Sequence, residues 1–207
     1  MMPKMKCITV QQANAYLNHI DMEIGDWNQI ADTTGFQQDK SFWINYRAPD
    51  NSHELLKFSQ HVAGWLPIGD WKIFQIDNSS VWIDPVQTSL ISGLLFGMEN
   101  VSWLAKNRTF LFEFGKDENT DSSTELLISN LIFTFLLFEC HGYVVSSNSN
   151  VGQRLGIQDG FVYFSSKEKN LSGAENLLKN FERHPLKAPQ WVLDIIAKRQ
   201  EQALKKI

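Results

Sequence analysis

The sequence has few of the features that mark secreted, metal-binding or membrane-spanning proteins. Its two cysteines, Cys7 and Cys140, are far apart and lack the repeated spacing of a disulfide framework or a zinc site. The longest apolar run, residues 126–138, is interrupted by polar side chains and is shorter than the about 20 residues that a bilayer span needs. The first ten residues contain no apolar segment typical of a signal peptide. We therefore expect reduced thiols, a cytoplasmic location and no membrane partner.

Motifs for catalysis and cofactor binding are also missing. The chain contains no His-Glu-x-x-His, paired Cys-x-x-Cys, phosphate-binding glycine loop or nucleophile elbow. Cys140 and His141 are adjacent, but neighbouring side chains at a helix end do not face each other, so we expect a buried thiol beside a capping histidine. The sequence predicts a protein that is not an enzyme and that holds no cofactor or metal.

Charged residues are scarce, at 20%, whereas hydrophobic residues reach 43% and aromatic residues 12%. This composition excludes a disordered chain and predicts a folded core. The 207 residues suit a single globular domain spanning residues 1–207. Within it, we interpret residues 185–207 as a C-terminal helical extension.

The charge is unevenly distributed along the chain. Residues 1–141 hold seventeen Asp or Glu against nine Lys or Arg, a net charge of −8, and the remaining residues carry +4. A surface this acidic repels phosphate backbones and attracts basic partners. We therefore expect no nucleic acid partner.

Hydrophobic spacing and capping signals predict alternating strands and helices. Helices are expected over residues 9–20 with Thr9 as cap, over 53–63 with Asn51 or Ser52 as cap, and over 172–181. A long buried helix near 122–140 is predicted to start at the capping box formed by Ser122 and Glu125. The predicted strands cover residues 42–46, 71–76, 81–83, 109–114, 143–146 and 161–164. These elements predict an α+β fold, with a mixed sheet of about six strands packed with helices.

A group of acidic residues surrounds a predicted hairpin. Residues 71–76 and 81–83 flank the turn-forming run 77–80, and Asp84 is suited to cap a helix that follows. Three interpretations remain open: structural turns and caps alone, a metal or acid–base site, or an acidic binding face that carries tryptophan. The candidate partner-binding residues are Asp70, Trp71, Asp77, Asn78, Trp82, Asp84 and Glu99.

The segment from Trp65 to Ser79 contains Leu66-Pro67-Ile68-Gly69-Asp70 and a strand that ends in Asp77. It resembles the corresponding stretch of bacterial toxin-immunity proteins, both those of contact-dependent growth inhibition systems and the SUKH immunity superfamily. The resemblance covers about fifteen residues and extends weakly through residues 159–164. It implies a small acidic α/β protein without catalysis that binds and blocks a cognate toxin domain, often a nuclease with a basic cleft.

Together, the acidic charge and the resemblance predict a cytosolic immunity protein that covers the basic active-site face of a toxin. One alternative is a small hydrolase that uses Asp70, Asp77 or Asp84 with a histidine. Another is a non-catalytic scaffold or regulatory module, which an exposed apolar patch without acidic residues would favour. The sequence does not indicate the oligomeric state.

Overall fold

A computed structural model describes residues 4–25, 29–34, 42–77, 108–113, 120–138, 140–149, 152–167 and 171–181. The described strands are β1 Lys4–Ile8, β2 Met22–Ile24, β3 Ile30–Asp32, β4 Phe42–Arg47, β5 Trp71–Asp77, β6 Arg108–Glu113, β7 His141–Ser146, β8 Arg154–Gln158 and β9 Phe161–Ser166. The described helices are α1 Val10–Leu17, α2 Ser52–Ala63, α3 Thr120–Leu137 and α4 Ser172–Leu178, with 3₁₀ turns at Asn18–Ile20 and Lys179–Phe181. The α+β prediction is confirmed.

Seven of these strands form one sheet in the order β1-β6-β5-β7-β8-β9-β4, and β2 and β3 form a separate hairpin. The sheet of about six strands that the sequence predicts has seven strands in the structure. Every described pair in it is antiparallel, so the prediction of mixed strand directions is wrong. Strands linked by a helix form a parallel pair, as in a mixed sheet, only when they are neighbours, and α3 links two strands that are not. This helix joins β6 to β7, which run in the same direction, but β5 lies between them and runs the opposite way.

Apolar side chains cover both faces of the sheet. On one face, Phe74, Phe112 and Phe164 pack with α2, α3 and α4 in the larger core cluster. On the other face, Ile73 and Leu111 pack with α1 and the β2–β3 hairpin. Successive strand residues point to opposite faces, so β5 contributes to both clusters. The result is a sheet between two unequal layers.

Two helix starts follow the sequence signals closely. Thr9 caps α1 in a reciprocal capping box with Gln12, as the hydroxyl accepts from the Gln12 backbone N–H and the Gln12 side chain accepts from the Thr9 backbone. The Asn51 side chain caps α2 by accepting from the backbone N–H groups of His53 and Glu54. Both caps are predicted correctly because they depend on residues close in sequence.

The long helix α3 lies in the larger core, as predicted, although it begins at Thr120 rather than at Ser122. Leu131, Ile132 and Phe135 are at most 2% exposed, whereas Leu126 and the last residue, Leu137, are about half exposed. Thr134 lies within the buried stretch and donates its hydroxyl hydrogen bond to the Asn130 carbonyl at 2.8 Å. The Ser129 hydroxyl likewise donates to the Leu126 carbonyl at 2.8 Å, so both hydroxyls within the apolar run are bonded inside the helix. None of the helices in the described ranges is long and apolar enough to cross a membrane.

The hairpin predicted between residues 71–76 and 81–83 is not formed as expected. Residues 81–83 lie outside the described residues, but β5 pairs with β6 along one edge and with β7 along the other. A strand pairs along two edges only, so neither edge of residues 71–76 is left to pair with residues 81–83. The helices predicted from Asp84 and over 185–207 also fall outside the described part of the chain.

Candidate partner-binding site

The segment that carries the resemblance, residues 65–79, begins with a loop between α2 and β5, residues 65–70, which we call the 65–70 loop. Its residue Leu66 is buried in the larger core cluster. Ile68, two residues later, is 69% exposed, the largest exposed fraction among the large apolar side chains of the described residues. Asp70, at the end of the loop, is also exposed. The loop is therefore anchored in the core by Leu66 and presents an apolar side chain and a carboxylate to solvent.

Three side chains fix the backbone of the 65–70 loop through its carbonyl groups. The Asn148 amide donates to the Ile68 carbonyl at 2.7 Å, and the Gln153 amide donates to the Trp65 carbonyl at 3.3 Å. The Lys72 ammonium donates to the Pro67 carbonyl at 2.8 Å. A loop held in this way loses little conformational entropy when a partner binds.

The loop also packs closely against the turn that follows β7. A Cβ atom placed on Gly69 would clash with the Ser147 hydroxyl, would lie 2.7 Å from the Ser146 hydroxyl and would lie 3.2 Å from the Asn148 backbone nitrogen. The Ser147 N–H donates to the Trp71 carbonyl at 3.0 Å and holds the turn in place. Glycine at position 69 thus lets the loop lie directly against the two serine hydroxyls of this turn.

Trp71 begins β5 directly after the loop and is partly buried. Its ring makes an edge-to-face contact with Tyr16, with the ring centroids 5.5 Å apart. The Tyr16 hydroxyl donates to Glu113 at 3.4 Å, and Glu113 forms a 2.6 Å ion pair with Lys6. The hydrogen bond to Glu113 raises the pKa of Lys6. Trp71 therefore supports the loop from the smaller core. Tyr16 connects Trp71 to the ion pair of Lys6 and Glu113.

The structure does not bring the predicted acidic residues into one cluster. Asp70 precedes β5, whereas Asp77 ends it, and six steps of about 3.3 Å place Trp71 and Asp77 roughly 20 Å apart. In the register of the sheet, Trp71 is opposite Glu113 and Asp77 is opposite His141. Of the predicted site residues, only Asp70 and Trp71 are thus placed together. The remaining four lie outside the described residues: Asn78, Trp82, Asp84 and Glu99.

A histidine–aspartate pair lies at the Asp77 end of the sheet. His141 Nε2 is 2.7 Å from Asp159 Oδ1, and Asp159 belongs to the turn between β8 and β9. Asp159 and Gly160 both have positive φ, at 51° and 74°, as in the two-residue turns that favour Asp-Gly. The His141 side chain is 7% exposed and that of Asp159 is 66% exposed. The pair therefore presents its carboxylate to solvent and buries its imidazole.

Cys140 and His141 do not form a nucleophile and base. Cys140 lies in the larger core cluster, and burial raises the pKa of its thiol to about 12. His141 is the first residue of β7 rather than a helix cap, and successive strand residues point to opposite faces. The thiol is therefore protonated at neutral pH and lies 3.7 Å from the Phe138 carbonyl, whereas the imidazole is paired with Asp159.

Within the described ranges, no group of three or more His, Cys, Asp or Glu side chains is arranged to hold a metal ion. The geometry of the 65–70 loop is instead suited to binding, because it combines an apolar side chain, a carboxylate and a fixed backbone. Comparison of the chain with protein-family models, with curated proteins and with solved structures gives no match.

Sequence reasoning missed the apolar member of this site. Ile68 is flanked by proline and glycine in Pro67-Ile68-Gly69, a context that marks a turn rather than a core element. An isoleucine inside such a turn is the signal that could have identified it. The supporting roles of Asn148 and Ser147 have no local signal, since their contacts with residues 68–71 span about eighty positions.

Proposed function

We propose that this protein is a cytoplasmic immunity protein that binds and neutralises a cognate bacterial toxin domain, with the 65–70 loop in the binding surface. The observation that carries the proposal is the exposed Ile68 side chain beside Asp70 on a backbone fixed by Asn148, Lys72 and Gln153. The same loop forms the first part of the segment, residues 65–79, that resembles toxin-immunity proteins.

The apolar contribution of the loop follows from its exposure. Ile68 is 69% exposed in the chain alone. Burying an isoleucine side chain fully is worth about 1.5–3 kcal/mol, and a partner pocket would recover a large part of this. Because the loop backbone is already held in place, little of that gain is lost to ordering the loop. Ile68 therefore has the character of a small anchor at the centre of an interface.

The electrostatic contribution comes from carboxylates. Asp70 is exposed beside Ile68, and residues 1–141 carry a net charge of −8. A partner with a basic active-site face, such as a nuclease, would be attracted over a long range and would associate rapidly at low salt. Asp77, at the far end of β5, would contribute to this long-range field rather than to the contact with the loop.

A neutralisation assay in cells tests the proposal. The C-terminal domain encoded by the reading frame next to this gene is expressed from an inducible promoter, with and without this protein. We expect the domain to arrest growth, this protein to relieve the arrest, and the two to purify together. An arresting domain that this protein neither binds nor blocks would contradict the proposal and favour a scaffold or regulatory role.

A further inference from the structure

Strand β4 lies at one edge of the sheet, and among the described strands it pairs only with β9. Its first two residues, Phe42 and Trp43, are each 46% exposed. The opposite edge strand, β1, carries the charged side chain of Lys6, and lysine on an edge strand opposes pairing with another chain. The one charged side chain of β4 belongs to its last residue, Arg47, so residues 42–46 carry no charge. The two edges thus differ in their protection against pairing.

The backbone groups that β4 directs away from β9 follow from one hydrogen bond. The Ala48 N–H donates to the Gly160 carbonyl at 2.8 Å, which makes Ala48 and Gly160 a hydrogen-bonded pair in the antiparallel register. Such pairs alternate along the strand, so Tyr46 and Ile44 are also bonded to β9. The N–H and C=O groups of Trp43, Asn45 and Arg47 therefore point outward.

We infer that two copies of this chain associate through their β4 strands, antiparallel and around a two-fold axis at Asn45. Each copy directs three N–H and three C=O groups outward, so a register centred on Asn45 forms six hydrogen bonds between the chains. A register centred on Ile44 or Tyr46 pairs only two of the three outward residues within β4 in each copy. The centred register therefore satisfies the most backbone groups.

The side chains on β4 are compatible with this register. In this register Trp43, which packs against Tyr163 of its own chain, lies opposite Arg47 of the second copy on the same face of the joined sheet. The Arg47 guanidinium is 3.4 Å from Asp50 of its own chain, and its face is able to stack on the indole. Asn45 lies opposite its own symmetry mate, and its side chain is held on this face by a hydrogen bond with Tyr163 of its own chain. The two Arg47 side chains lie at opposite ends of the paired strands. The interface is isologous, so pairing closes at a dimer.

A charge exchange across the proposed interface tests the pairing. The wild type is measured over a series of concentrations by light scattering coupled to size-exclusion chromatography, and we expect a monomer–dimer equilibrium. Trp43→Lys places a lysine opposite Arg47 of the second copy, so its dissociation constant should rise at least about tenfold. Adding Arg47→Glu should restore the dimer, because Lys and Glu are then opposite each other only between copies. Circular dichroism and melting temperature establish that each variant is folded.

A symmetric crosslink provides the second test. Opposed residues of a hydrogen-bonded antiparallel pair have Cα atoms about 5.5 Å apart, which a disulfide bridges. With the exposed thiol removed by Cys7→Ser, Asn45→Cys should form a covalent dimer on oxidation. Arg47→Cys, the matched control, should not, since its symmetry mate is four residues away along the pair. A wild type that is monomeric at every concentration, or a dimer that neither the charge exchange nor the Asn45→Cys crosslink detects, would overturn the inference.

Discussion

The side-chain amide of Asn148, in the turn after β7, donates a 2.7 Å hydrogen bond to the backbone carbonyl of Ile68, in the loop before β5. This contact joins two segments that are eighty residues apart in sequence. It explains why a loop with an exposed isoleucine has a defined shape, since the carbonyl that precedes Gly69 is held from outside the loop. The binding account depends on this fixed geometry.

Gly69→Ala tests the close packing of the loop. A Cβ atom at this position meets the Ser147 and Ser146 hydroxyls, so we expect a loss of about 1–3 kcal/mol in the free energy of unfolding, measured with urea. Gly173→Ala is the matched control, because a Cβ there has no neighbour within 4 Å. It should leave stability unchanged or raise it by up to about 1 kcal/mol. Equal effects of the two substitutions would contradict the packing of the loop against the turn.

Phe135→Ala tests the position of α3 in the core. Phe135 is 2% exposed and packs edge to face on Phe74, with ring centroids 4.6 Å apart. Its truncation should cost about 3–5 kcal/mol by lost contact and cavity formation. Leu137→Ala, at a position 46% exposed, should cost less than about 1 kcal/mol. Phe133, on the same helix, is only partly buried and should give an intermediate loss.

The local features of this fold were accessible from the sequence, and the long-range ones were not. The caps at Thr9 and Asn51 were predicted because each depends on residues within three positions. The pairing of β5 was mispredicted because turn-forming residues 77–80 favour a hairpin locally, whereas the observed partners begin at Arg108 and His141. Strands β1, β2, β3 and β8 were missed, since short segments have weak alternation.

The candidate site shows the same division. Asp70 and Trp71 were identified from a motif that is continuous in sequence, and they are adjacent in the structure. Asp77 was grouped with them because it begins the turn of the predicted hairpin, but an extended strand carries it to the other end of the sheet. Ile68 was missed because exposure of an apolar residue depends on what packs around it, which no local pattern encodes.

Asp32 predicts a specific loss of stability in acid. Burial would raise its pKa, but hydrogen bonds from Thr34 and the Lys167 ammonium, 3.2 Å away, outweigh that effect and lower the pKa below the ordinary 3.8. As the pH falls, the Asp32 carboxylate is therefore protonated in the unfolded state before it is protonated in the folded state. Its contribution to the free energy of unfolding is complete above about pH 5 and is lost as the pH falls through 3.8 and below.

Urea unfolding of the wild type and of Asp32→Asn between pH 3 and pH 6 measures this contribution. The difference between their free energies of unfolding should be constant near pH 6 and should shrink toward pH 3. A difference that does not change with pH would show that the carboxylate has the same pKa in the folded and unfolded states.

The two thiols should differ sharply in reactivity. Cys7 is exposed, whereas Cys140 is buried with its pKa raised to about 12, and only the thiolate reacts rapidly. In the native protein at pH 8, a disulfide reagent should modify one thiol quickly and the second only after denaturant is added. Cys7→Ser should abolish the fast phase. Rapid modification of both thiols in the folded protein would contradict the buried position of Cys140.

Binding of the purified toxin domain, measured by surface plasmon resonance, is the most direct test of the proposal that the 65–70 loop contacts a basic partner. Ile68→Ala should weaken binding about tenfold, mainly through faster dissociation, and Asp70→Lys should slow association in low salt, with the difference disappearing as salt rises. Leu126→Ala, a comparably exposed apolar position on α3, should bind as the wild type does. Wild-type affinity and kinetics for both loop variants, in protein shown to be folded, would contradict the account.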